Sequence, residues 1–169
     1  ANDARDDRAC TLDRRVFLRL AALGALGAVG ALASGSIPTE LGASVRTVRP
    51  LRVNPRELAY PIPVADGVSV DESAEVILVR WQGRAYAFST SCPHKGATLR
   101  WRPAEGRVFC PKHKARFHPD GAHASGRRTR ALDRYDVARR GATLVVSLDA
   151  LRRADRDAEA WGRAWVSVG

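Results

Sequence analysis

The chain is poor in cysteine, with three among 169 residues. Two of them lie in one short stretch and leave only Cys10 elsewhere, which argues against a secreted fold stapled by disulfides. The chain also has no internal repeat, and its only biased tract is an apolar run near the amino terminus. Its length suggests one domain plus attachments, and 45% hydrophobic residues are enough for a globular core.

Acidic residues are also in short supply. The 18 Asp and Glu are outnumbered by 28 Lys and Arg, so the formal net charge is +10. Residues 95–140 carry thirteen Lys or Arg and four Asp or Glu, a net charge of +9. Such a balance admits nucleic acid, an anionic membrane surface or an acidic protein as partner, and diffuse composition bias is the alternative explanation.

The amino-terminal segment resembles a twin-arginine export signal. Arg14 and Arg15 are followed by Phe17 and Leu18, and an uninterrupted apolar run extends over residues 20–33. Residues 16–33 carry a single charge and are close to the shortest helix that can span a bilayer. We therefore predict an apolar helix in residues 1–33 that is retained as a membrane anchor. Cleavage after this run is the alternative, and an amphipathic helix of a soluble domain is disfavoured.

The remainder of the chain predicts a small all-β, antiparallel domain. Residues 34–57 have the composition of a flexible linker, and residues 58–150 contain paired runs of alternating apolar residues. These runs flank turn signals at residues 82–83, 103–106 and 140–141. A carboxy-terminal extension, residues 151–169, follows, and we expect the tail from Asp149 to be helical, with Trp161 and Trp165 on one face.

Two cysteines and two histidines form the one motif with evident chemistry. Cys92 and His94 are followed, after fifteen residues, by Cys110 and His113. A catalytic Cys–His pair needs one residue of each type, so two matched pairs favour a metal site. Structural zinc is disfavoured because zinc-binding pairs are usually spaced by at least two residues. His118 and His123 fall outside the pattern and are interpreted as surface or loop histidines.

This motif resembles the Rieske iron–sulfur family, and the resemblance covers about residues 58–148, including Gly96 and the stretch at 117–121. It implies a Rieske-type antiparallel β domain whose loops bind one [2Fe–2S] cluster per chain. Two thiolates, here Cys92 and Cys110, hold one iron, and two imidazoles, here His94 and His113, hold the other.

The export signal and the Cys/His motif, taken together, resemble those of the iron–sulfur subunit of quinol–cytochrome c oxidoreductases. This implies electron transfer at the extracytoplasmic (periplasmic) face of the bacterial inner membrane. The partners implied are membrane-embedded or periplasmic redox subunits, among them a cytochrome, with quinol as a possible substrate. The alternative is the small subunit of an arsenite-oxidase-type molybdenum enzyme. A non-redox basic binding module ranks last, since no nucleic-acid recognition motif is present.

Four positions depart from the quinol-oxidising pattern. Ala97 and Lys112 stand where that family has two further cysteines, which form a disulfide between the loops. Ala115 and Phe117 stand where it has Ser and Tyr, whose hydroxyls donate to cluster and ligand sulfur. The loss of these hydroxyls predicts a reduction potential in the lower half of the family range.

Overall fold

The computed structural model describes residues 45–169. The predicted apolar helix in residues 1–33, Cys10 and the first part of the predicted linker lie outside the described residues. None of the helices in residues 45–169 has the length and hydropathy of a transmembrane segment.

The larger of two sheets has nine strands, and their spatial order differs from their chain order. The strands are Arg46–Thr47 (β1), Leu51–Asn54 (β2), Glu57–Pro61 (β3), Gly67–Asp71 (β4), Val76–Trp81 (β5), Arg84–Ser89 (β6), Arg134–Arg140 (β11), Thr143–Arg152 (β12) and Val166–Ser167 (β13). Their spatial order is β1-β4-β5-β6-β11-β12-β3-β2, and β13 pairs with β6 beside this path. All neighbours are antiparallel except β1 and β4, so the predicted all-β, antiparallel class is confirmed.

The hairpin of β5 and β6 is buried on both faces and lies between two hydrophobic cores. Val76 and Leu78 point into one core, and Ile77 and Val79 point into the other, as the alternation predicts. Full burial of each such side chain stabilises the fold by about 1.5–3 kcal/mol. The predicted turn at residues 82–83 is confirmed, and both of its residues have positive φ, 51° and 70°, which suits a tight hairpin.

The smaller sheet is inserted between β6 and β11. Its four strands are Arg100–Arg102 (β7), Arg107–Phe109 (β8), Arg116–Phe117 (β9) and His123–Ser125 (β10), in the spatial order β10-β9-β8-β7. The predicted turn between β7 and β8 is a short 3-10 helix, Pro103–Glu105. The two ends of the insertion meet where the Ser89 N–H donates to the Asp133 carbonyl at 3.1 Å. Both cysteine-containing loops therefore belong to this inserted lobe.

The predicted linker and the predicted helical tail differ from the observed structure. Within residues 34–57, β1 and β2 pair with β4 and β3, so ordered structure begins before residue 58. At the other end β12 continues past Asp149, because its last residues pair with the start of β11 across a bulge. One short helix, Ala158–Arg163 (α1), follows, and β13 then returns to β6. The helical prediction is thus wrong for most of the tail, and Trp165 lies beyond α1.

Candidate metal centre

The first cysteine-containing loop, residues 91–98, is closed by backbone hydrogen bonds. The Cys92 N–H donates to the Ala97 carbonyl at 2.9 Å, and the Gly96 N–H donates to the Cys92 carbonyl at 2.9 Å. The chain reversal in this loop requires one residue with a left-handed backbone conformation, and Gly96, with φ of 64°, is that residue. Ser91 and Thr98 form a bridge at the base of the loop. The result is a narrow loop with Cys92 buried at its foot.

The second loop, residues 110–115, repeats this hydrogen-bond pattern. The Cys110 N–H donates to the Ala115 carbonyl at 2.9 Å, and the Lys114 N–H donates to the Cys110 carbonyl at 3.0 Å. Lys114 has φ of 61° and takes the place that Gly96 has in the first loop. The two loops thus share one backbone conformation built on the shared sequence features Cys-Pro and a closing alanine.

The loops bring the four predicted site residues together. The Nδ1 atoms of His94 and His113 lie 3.1 Å apart, with the ring centroids separated by 4.7 Å. Cys92 and Cys110 are both free and buried, and their thiols are hydrogen-bonding neighbours. His123 is held elsewhere, with Nε2 3.0 Å from the Arg127 carbonyl oxygen and its ring edge-on to Phe117. The arrangement separates one thiol pair from one imidazole pair.

This donor set fits an iron–sulfur cluster. Two thiols that lose their protons supply soft, charged ligands, and two imidazoles that face each other through Nδ1 supply neutral ones. Among residues 45–169, no group of three or more His, Cys, Asp or Glu side chains is arranged to hold a single metal ion. The donors are instead disposed as two pairs, as two irons would require.

The two thiols have different electrostatic environments. Burial raises the pKa of Cys92, and the adjacent Cys110 raises it further. Burial also opposes ionisation of Cys110, but hydrogen bonds from the Cys92 thiol and from the His113 and Lys112 N–H groups lower its pKa overall. Each sulfur accepts two backbone N–H groups, those of His94 and Lys95 in the case of Cys92. Such donors favour the thiolate that a metal requires.

Three exposed cations surround the histidine pair, and we call Lys95, Lys112 and Arg127 the basic rim. Partial burial lowers the pKa of His94, and charge repulsion from His113 and the basic rim lowers it further. None of the three cations forms an ion pair with another residue of the described part. The histidine end of the lobe is therefore a positive surface.

The segment at residues 126–133, for which the sequence predicted no role, contacts both loops. Gly126, with φ of 78°, lies against the backbone of Lys114 in the second loop. Arg130 donates through Nη1 to the Pro93 carbonyl at 2.7 Å in the first loop. The glycine and the i, i+3 pairing of Arg130 with Asp133 were visible in the sequence, but nothing there indicated which loop each would meet.

Comparison with known proteins identifies the domain that contains the two loops. Residues 57–136 match the Rieske [2Fe-2S] domain. This part of the chain is a Rieske domain. It binds a [2Fe–2S] cluster, and its mostly β, curled antiparallel sheet is the predicted Rieske-type fold. The function of a Rieske domain is electron transfer.

One curated relative is the cytochrome b6-f complex iron-sulfur subunit of Chlorobaculum thiosulfatiphilum, 32% identical over 73 residues. The match covers 43% of this chain and spans 40% of the length of that relative.

Two solved structures are also similar to the Rieske domain. The plasma membrane Rieske protein of the cyanobacterium Synechocystis PCC 6803 has 27% identity and a TM-score of 0.40, over 54% of this chain and 85% of that one. The ferredoxin of carbazole 1,9a-dioxygenase from Nocardioides aromaticivorans IC177 has 25% identity and a TM-score of 0.37, over 52% and 88% of the respective chains.

Proposed function

We propose that Cys92 and Cys110 hold one iron of the cluster and that His94 and His113 hold the other through Nδ1. Two contacts carry this assignment: the two Nδ1 atoms approach to 3.1 Å, and the two buried thiols are hydrogen-bonding neighbours. Because both imidazoles would face the cluster with Nδ1, their Nε2 atoms would be directed away from it. The bound cluster supplies one-electron chemistry at the end of the lobe that carries the basic rim.

We further propose that the chain is a membrane-tethered electron-transfer subunit of a quinol–cytochrome c oxidoreductase-like complex at the periplasmic face of the membrane. The Rieske domain supplies the electron carrier, and the apolar run at residues 20–33 supplies a tether in the sequence. The similarity to an iron-sulfur subunit of a cytochrome b6-f complex supports this class of partner. Electrons would pass from quinol to a cytochrome.

The basic rim favours some redox partners over others when they bind at the histidine end of the lobe. Three exposed cations without ion pairs among the described residues attract an anionic protein surface and orient it towards the histidines. All three cations lie close enough to His94 to act on its charge. The rim thus favours acidic partners, and no nucleic acid is expected.

A second candidate is the small subunit of an arsenite-oxidase-type molybdenum enzyme. The loops favour an electron carrier other than a quinol-oxidising subunit, because their only cysteines, Cys92 and Cys110, are both free. With Ala97 and Lys112 in the positions described above, the two loops share no disulfide.

Purification of the full chain from its native membrane, with its associated subunits identified by mass spectrometry, tests the proposal. Co-purification with a cytochrome-containing complex that the protein reduces on addition of quinol is the expected result. Recovery with a molybdenum-containing subunit would replace the first candidate by the second. Recovery from the soluble fraction with no redox partner would contradict both.

A further inference from the structure

The guanidinium group of Arg130 joins the segment before β11 to the first loop and to the connection between β12 and α1. In that connection, the more exposed Asp155 places Oδ1 3.4 Å from Arg130 Nε. Arg130 Nε and Nη2 donate to the two carboxylate oxygens of Asp133 at 3.0 and 2.9 Å. Arg130 Nη1 donates to the Pro93 carbonyl at 2.7 Å. The side chains of the Arg130–Asp133 ion pair are only 19% and 11% exposed, so the pair is shielded from solvent screening. The two-point pairing with Asp133 fixes the plane of the guanidinium and aims Nη1 at the first loop.

The Pro93 carbonyl belongs to the same peptide unit as the His94 N–H. This peptide is trans, so the two groups point in opposite directions. The His94 N–H donates to the Cys92 sulfur. The Arg130 guanidinium at the Pro93 carbonyl therefore polarises the Pro93–His94 peptide. This polarisation strengthens the hydrogen bond from the His94 N–H to the Cys92 sulfur, by roughly 10–30% as in other hydrogen-bond chains.

The second loop has a weaker version of this contact. The Pro111 carbonyl, which corresponds to that of Pro93, accepts from Lys114 Nζ at 3.2 Å. Lys114 is exposed, and its flexible ammonium is not fixed by a carboxylate. The contact made by Arg130 is thus the shorter and better-shielded of the two.

We propose that Arg130 is a positioning residue that raises the reduction potential of the cluster through the Pro93–His94 peptide. The inference rests on the proposed assignment of Cys92 as a ligand. Reduction adds one electron, hence one negative charge, and a strengthened N–H donor at the Cys92 sulfur stabilises that charge. Arg130 itself stays outside the ligand set.

The test is a potentiometric titration of the cluster-loaded full chain with dithionite, followed by visible circular dichroism. One electron enters the protein in this titration, and no bond forms or breaks. The main variant combines Arg130→Met with Asp133→Leu, which removes both charges and leaves the net charge unchanged. We expect the equilibrium constant for reduction to fall about two- to fivefold, or ~20–40 mV at ~59 mV per tenfold change.

The matched control is Arg128→Gln, which removes an exposed charge two residues away and should change the constant less than about 1.5-fold, because exposed charges are screened. If the double variant does not retain the cluster, Arg130→Lys decides the question, since lysine cannot bridge Asp133 and Pro93 in this fork geometry. The inference is overturned if the equilibrium constant for reduction in the deciding variant lies within about 1.5-fold of the wild-type constant. It is also overturned if Arg128→Gln lowers this constant by as much as the deciding variant does.

Failure of the ligand assignment would give a different result. If Cys92 is no ligand, Cys92→Ala keeps the iron–sulfur spectrum, whereas the Arg130 test reports only on the potential of an intact cluster.

Discussion

Gly126 lies so close to the carbonyl oxygen of Lys114 that a Cβ atom on residue 126 would overlap it. The contact presses the segment after β10 onto the second cysteine-containing loop, in which Lys114 already has the left-handed conformation. A side chain at Gly126 would therefore separate this segment from the loop.

We predict that Gly126→Ala destabilises the domain strongly. The added methyl group must displace backbone rather than a flexible side chain, and the positive φ adds about 1–2 kcal/mol of strain. We expect a total loss of about 3–5 kcal/mol in the free energy of unfolding, measured by urea titration. Gly141→Ala is the control, because its φ is 60° but nothing lies within 4 Å of the new Cβ. Equal losses in the two variants would contradict the contact argument.

Replacement of a proposed ligand should remove the cluster. Cys92→Ala and His113→Ala each leave one iron with a single protein donor, so we expect both purified proteins to lose the visible iron–sulfur absorbance. His123→Ala, which alters a histidine outside the site, should keep it. A wild-type spectrum in either ligand variant would disprove that assignment.

Ala115 and Phe117, which follow the second cysteine, should give the cluster a lower reduction potential than Ser and Tyr would at these positions. Ala115 and Phe117 are 1% and 0% exposed and carry no hydroxyl, so reduction gains no hydrogen bond from them. We expect a wild-type value in the lower half of the roughly −150 to +300 mV family range. We expect Ala115→Ser with Phe117→Tyr to raise it by on the order of 100 mV, since a charged hydrogen bond is worth about 1.5–3 kcal/mol and 1.4 kcal/mol is ~59 mV.

A potentiometric titration checks this shift, with Ala104→Ser on the exposed 3-10 helix as the control. A wild-type potential near the top of the range, or a double variant unchanged within about 20 mV, would show that other groups set the potential.

The basic rim should make electron transfer sensitive to salt. The Debye length shrinks from ~10 Å at 0.1 M to ~3 Å at 1 M, so the bimolecular rate with the co-purified acceptor should fall several-fold over that range. Lys112→Glu should flatten this dependence, as followed by stopped-flow absorbance. Arg139→Glu makes the same charge change at an exposed residue near the far end of β11 and should not. A salt profile that is flat in the wild type would leave the excess arginine as composition bias.

Asp71 should make the domain sensitive to acid. Burial alone would raise its pKa, but hydrogen bonds from Ser73, the Tyr60 hydroxyl and Ala74 lower it overall. Since the folded pKa lies below the unfolded value of about 3.9, its contribution is complete above that pH and is lost as pH falls through the folded pKa. Asp71→Asn should cost about 1–3 kcal/mol at pH 7 and less at pH 3.

Urea unfolding at both pH values measures this difference, and Asp149→Asn, an exposed carboxylate, serves as the control. A cost that is the same at pH 7 and pH 3 would show that the charge of Asp71 does not contribute.

The sequence predicted those parts of the molecule whose pattern is local. The apolar runs of β5 and β6 could be recognised because both faces of the hairpin are buried. The four candidate ligands could be proposed because they lie within two short loops. The bond from Arg130 to Pro93 joins residues 37 positions apart and has no local signature. The return of β13 to β6 was also missed, because a strand of two residues is too short to show a period.

The hydrogen bond between Ser89 and Asp133 holds the two ends of the inserted lobe side by side on neighbouring strands of the larger sheet. The chain therefore enters and leaves the inserted lobe at adjacent positions of the larger sheet. We expect that the lobe of another Rieske domain, with different loops and a different reduction potential, can be grafted between β6 and β11 while the length and register of these strands are kept.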